Sequence, residues 1–167
     1  LRQAAVNLLA LTRALPTLDL DGDAETVDID GNRIAFAGMS LGSITGIVYG
    51  ASLPTTAQIP TVAPLRTMAL SVPGGGVATL LQGSASFGPR INAGLQAQGL
   101  MPGTTMYNQF FRDAQAIVDA GDPLNYITVA AGARAIYLSQ VVGGETPPPL
   151  PDQVIPNFAT QKLVTAI

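Results

Sequence analysis

The chain of 167 residues contains no histidine, no cysteine and no tryptophan, and Lys162 is its only lysine. Each absence removes a class of chemistry. Without cysteine there are no disulfides and no thiolate metal centres, and without histidine the usual nitrogen ligands are gone too. No metal and no cofactor is expected. Basic residues number 8 and acidic ones 11, for a net charge of −3. The arginines are scattered, whereas phosphate binding needs a clustered basic surface, so no nucleic-acid partner is expected. Charged residues make up only 11% of the chain. Apolar faces must then be covered by uncharged polar groups and backbone, or by further polypeptide or a lipid interface.

The stretch between Arg33 and Arg66 carries no charge, as a membrane span would. Pro54, Pro60 and Pro64, with repeated glycines, interrupt any continuous apolar helix, so it reads as buried sheet and no transmembrane segment is expected. Near-continuous apolar runs over 28–37, 67–72 and 135–142 predict strands, and 41–49 predicts the helix after the first. Together they imply an α/β fold, a mostly parallel sheet covered by helices on both faces. Leu1, Ala5, Leu8 and Leu15 fall at helical spacing until Pro16, and Asn157 is a plausible cap for a helix through Lys162 to Ile167. Both ends read as cropped, so flanking segments of the same protein are expected partners.

The piece 74–125 is too long for a plain crossover. Within it Met106, Phe110, Ala114 and Ile117 share one helical face, with Gly121 as a stop, and the glycines and prolines ahead of them joint an apolar segment. An insertion of this kind after a strand's carboxyl end is where a cap or lid would sit. Residues 147–151, mostly proline, read as a stiff spacer leading to Asp152.

Chemistry concentrates at Gly38-Met39-Ser40-Leu41-Gly42. A G-x-S-x-G run between a strand and a helix is a turn sharp enough to want glycine two residues either side of a serine, which it holds out at the sheet's carboxyl edge. Ser40 is the candidate nucleophile and the Leu41 backbone N–H, opening the next helix, the candidate oxyanion donor. Asp152 is the candidate acid, with Glu145 as its rival. Lys162 could act as a base but reads as a solvated charge. The acidic run 19–25 suggests calcium, yet its glycine comes too early for an EF-hand loop, which leaves a solvated loop. Asp122 and Pro123 read as the cap and first residue of a short helix, structural in role.

The residues Arg33 to Ser43 around that turn, the Asp122-Pro123-Leu124-Asn125-Tyr126 segment and the run Asp152-Gln153-Val154-Ile155-Pro156-Asn157 resemble bacterial extracellular lipases and esterases of the α/β-hydrolase superfamily. The resemblance implies that residues 1–167 form a partial α/β-hydrolase core with 74–125 as the cap. It implies that Ser40 is the nucleophile, Leu41 an oxyanion donor and Asp152 the acid of an enzyme that cleaves acyl esters, often of lipids, outside the cell or in its envelope. Met39 stands where such lipases commonly carry histidine. The catalytic histidine and a second oxyanion donor are expected from outside these residues. A serine peptidase or acyltransferase of the same fold, and a binding module that kept the scaffold without the base, are the alternatives.

Overall fold

A computed structural model of the chain describes residues 1–23, 28–31, 33–53, 65–144 and 150–167. Its strands are short because glycine, proline and polar residues bound each apolar run. They are β1 (Ala35–Met39), β2 (Thr67–Ser71) and β3 (Ala135–Ser139), paired in parallel in the order β1-β2-β3. The helices are α1 (Arg2–Ala14), α2 (Leu41–Ser52), α3 (Val77–Gly83), α4 (Gly88–Ala97), α5 (Thr105–Val118), α6 (Ile127–Ala133) and α7 (Asn157–Thr165). The result is a small α/β fold with a parallel sheet and flanking helices.

Side chains alternate across a strand, and here the two faces differ. Met68 and Leu70 of β2 are buried and join Ile47 and Val48 of α2, Ile127 of α6 and Leu163 of α7 in the main core. On the opposite face Ala35, Ala37, Thr67, Ala69, Ala135 and Tyr137 are exposed. The described residues thus cover one face of the sheet, where both were expected to be covered. The strands step in a single direction, and successive crossovers of one hand in one direction put their helices on the same side. Helix α2 packs against β1, β2 and α6, and α1 lies on α2. Between α1 and α2, Thr12 Oγ1 and the Tyr49 hydroxyl share a buried hydrogen bond of 2.6 Å.

Several boundaries differ from the sequence expectation. The first strand begins at Ala35, not residue 28, because Asp28 accepts the Leu20 N–H and Arg33 N–H turns back onto the Asp30 carbonyl. The third ends at Ser139, since the Val141 carbonyl is taken by the Asp152 N–H. Asn157 is no cap: it is the first residue of α7, Pro156 occupies the cap position, and Asn157 Oδ1 is buried with no hydrogen bond among the described residues. Most of the spacer 147–151 and all of 54–64 lie outside the described residues. No described helix is long and apolar enough to cross a membrane.

The segment 74–125 builds α3, α4 and α5 around a cluster of its own, Ala78, Tyr107 and Phe111 with Ile91, Leu95 and Ala114. Helix α5 is turned relative to the expected face, leaving Met106 and Ile117 exposed at 67% and 81%. Tyr107 and Phe111 face inward instead, their rings 5.0 Å apart edge to face. Two aromatic rings fill more of the space beneath α3 than Met106 and Ile117 would, and the Tyr107 hydroxyl donates to Asn92 Oδ1 at 2.7 Å.

Candidate functional site

The carboxyl ends of the strands carry the candidate residues. At Ser40 the chain leaves β1 and enters α2 with φ 52 and ψ −120. A side chain with a Cβ rarely adopts this conformation, and holding it costs about 1–3 kcal/mol. Both neighbours enforce it. Ser40 N–H donates to the Ser71 carbonyl at 2.9 Å, while its own carbonyl accepts the Ile44 N–H at 3.0 Å and opens the helix. The expected strand–serine–helix turn is present, and Ser40 is partly exposed at its tip.

The two glycines of the motif are not equivalent. A Cβ on Gly38 would fall 2.9 Å from the backbone of both Gly42 and Ser43, so only glycine lets the turn close there. A Cβ on Gly42 would meet nothing within 4 Å. Glycine at that position is therefore not required by packing, contrary to the expectation from the motif. The close approach of α2 to β1 comes from Gly46 instead, where a Cβ would overlap the Phe36 ring at 2.2 Å. Ser43, fully buried, ties the same turn to β2 through Oγ, which donates to the Ser71 carbonyl at 2.8 Å.

Helix α2 opens at Leu41, whose N–H has no hydrogen bond among the described residues. The first amides of a helix have no acceptor within it and carry the positive end of its dipole, which suits them to a developing negative charge. Met39 and Leu41, either side of Ser40, are 72% and 64% exposed. They border a groove of about 630 Å³ that Leu8 and Leu11 of α1 line from the other side. Helices α3 to α5 do not bury these two residues.

Asp152 lies beyond the end of β3, where its N–H donates to the Val141 carbonyl at 3.1 Å. One carboxylate oxygen, Oδ1, accepts the N–H groups of Val154 and Ile155 at 2.8 and 2.9 Å. Oδ2 makes no hydrogen bond among the described residues. Ile155 shares a buried cluster with Ile44, one turn into α2 from Ser40. Only β2 separates the strands from which Ser40 and Asp152 emerge. Glu145 lies outside the described residues.

Lys162 donates to Thr79 Oγ1 at 3.0 Å and stands 5.2 Å from the centroid of the Phe158 ring. Carboxylate oxygens of the exposed Asp19, Asp21 and Asp28 come within 4.8 Å of one another, and Glu25 lies outside the described residues. Two features have no clear sequence signal. Val72 at the end of β2 also has a positive φ, 44°. Asp122 does cap Leu124, as expected, but it is fully buried and also accepts from Gly76 N–H, Val77 N–H and Gln115 Nε2. At the other end of the sheet, burial lowers the pKa of Arg134 from the ordinary arginine value, with Tyr49 partly opposing the shift. Its guanidinium donates to the Leu53 carbonyl at 2.8 Å.

Comparison with protein-family models, with curated proteins and with solved structures finds no match.

Proposed function

We propose that this chain is the nucleophile and acid portion of a serine carboxylester hydrolase, an exported lipase or esterase acting through an acyl-enzyme on Ser40. The observation that carries the reading is the Ser40 backbone: a non-glycine residue held at φ 52 between a parallel strand and a helix whose first amide has no acceptor among the described residues. Strain of this kind concentrates where a side chain must be presented in one direction.

In the proposed reaction Ser40 Oγ attacks the ester carbonyl carbon and passes its proton to a base. The carbonyl oxygen becomes an oxyanion facing the Leu41 N–H. Collapse of the tetrahedral intermediate breaks the bond to the alcohol, which leaves with the proton from the base, and water then releases the acid by the same steps. Asp152 Oδ2 orients the base. With no histidine in the 167 residues, the imidazole comes from polypeptide outside them. The exposed Met39 and Leu41 favour an apolar acyl group, and helices α3 to α5, with Met106 and Ile117 exposed, form the proposed cap and lipid contact.

The missing base favours a second reading, a binding module on the same scaffold. A fluorophosphonate probe separates the two, applied to this chain and to the longest natural polypeptide that carries it, with Ser40→Ala as control. An adduct at Ser40 in the longer protein, absent from the control, is the expected result. A folded longer protein that takes no adduct is the binding module.

A further inference from the structure

Among the described residues, Ser40 and Val72 are the non-glycine residues with positive φ, and the sheet sets them side by side. The β1–β2 register ends at Met39 opposite Ser71, and the β2–β3 register at Ser71 opposite Ser139. One residue further on, Ser40 N–H donates to the Ser71 carbonyl and Val72 N–H to the Ser139 carbonyl, at 2.9 and 2.8 Å. Val72, the first residue after the middle strand, thus stands between Ser40 and the end of the strand leading to Asp152.

Its conformation is imposed from both sides. Before it runs the ladder. After it, Pro73 to Gly76 are buried and pinned: the Pro73 carbonyl accepts Thr160 Oγ1 at 2.6 Å, Gly75 N–H donates to the Ala159 carbonyl, and Asp122 accepts the N–H groups of Gly76 and Val77. The chain must turn within one residue. Glycine would do so freely, and a β-branched residue is among the worst suited to φ 44. Three glycines follow Pro73, at 74 to 76, yet the turning position itself is valine and is only partly buried. A side chain kept where the backbone resists it points to use of the side chain.

We propose that Val72 is a specificity-determining residue: its isopropyl group walls the space beside Ser40 and excludes acyl groups branched next to the scissile carbonyl. This rests on the hydrolase reading above. It restricts the substrate class to esters of unbranched acids.

The test compares kcat/KM for p-nitrophenyl butyrate and p-nitrophenyl isobutyrate in the longest natural form of the protein and in its Val72→Ala, Val72→Gly and Val72→Thr variants. Removing the wall should shift the ratio toward the branched ester by about tenfold in the first two, the usual effect of one or two carbons in an apolar pocket. Val72→Thr keeps the shape and should keep the ratio. Fluorophosphonate labelling of Ser40 is followed in parallel. An unchanged ratio in Ala and Gly variants that still label overturns the role of Val72 alone. Absence of both hydrolysis and labelling in the unsubstituted protein overturns the hydrolase reading, and this proposal with it.

Discussion

Ser40 holds φ 52 without glycine's freedom, and its cost and its use can be measured separately. Ser40→Gly should raise stability by about 1 kcal/mol in urea denaturation, since glycine adopts this conformation without a Cβ clash, and it should remove fluorophosphonate labelling. A loss of stability would mean the turn is not strained. Asp152→Asn keeps one carbonyl oxygen for the Val154 and Ile155 amides, so the melting temperature should hold. Turnover in the longer protein should fall by about 10⁴, because an amide no longer fixes the tautomer of the base. An unchanged rate would move the acid role elsewhere. The glycines flanking Ser40 should part company under substitution: Gly38→Ala forces backbone apart and should cost about 2 kcal/mol or more, whereas Gly42→Ala enters open space and should cost under about 0.5 kcal/mol. Equal costs in thermal denaturation would contradict the described turn. The motif was legible at this scale, but the unequal need for its glycines depends on atoms that only folding brings within 3 Å.

At the scale of elements, Asp122 joins the start of α3, helix α5 and the turn at Pro123–Asn125. Its Oδ1 accepts from Gly76 and Leu124 and its Oδ2 from Val77 and Gln115. Asparagine has one acceptor oxygen, so Asp122→Asn would set an NH₂ group against two donors. A loss of about 3 kcal/mol is expected in chemical denaturation, and a neutral result would show that the buried network is not holding these elements. The sequence pointed to Asp122 as a local cap, which describes one of its contacts. The others join residues up to 46 positions apart, and no local pattern encodes them. The inward face of α5 was misread for a related reason. Hydrophobic spacing fits the stripe of Met106, Phe110 and Ile117 as well as that of Tyr107 and Phe111, and the choice falls to whichever side chains fill the space under α3.

For the whole molecule, the open sheet face is the dominant feature. Ala37, Ala69 and Tyr137 are exposed on a sheet whose outer strands each have an unpaired edge among the described residues. Parallel sheets are ordinarily covered on both faces, and uncovered apolar edges pair with other chains. The 167-residue chain alone should therefore self-associate as its concentration rises, and Ala69→Lys, a charge in the middle of that face, should suppress the association in sedimentation experiments. A wild-type chain that stays monomeric at high concentration would show that the face is protected. Taken alone, the sequence determined the α/β character, the strand–serine–helix turn and the absence of an internal imidazole, because each depends on residue type and spacing along a few turns of chain. Tertiary structure alone decided that one sheet face is covered among the described residues, that β2 lies between the strands leading to Ser40 and to Asp152, and that Val72 beside Ser40 also has a positive φ. Those features arise from the register of strands about 30 residues or more apart and from the direction in which crossovers accumulate, and neither is written in any local stretch of residues.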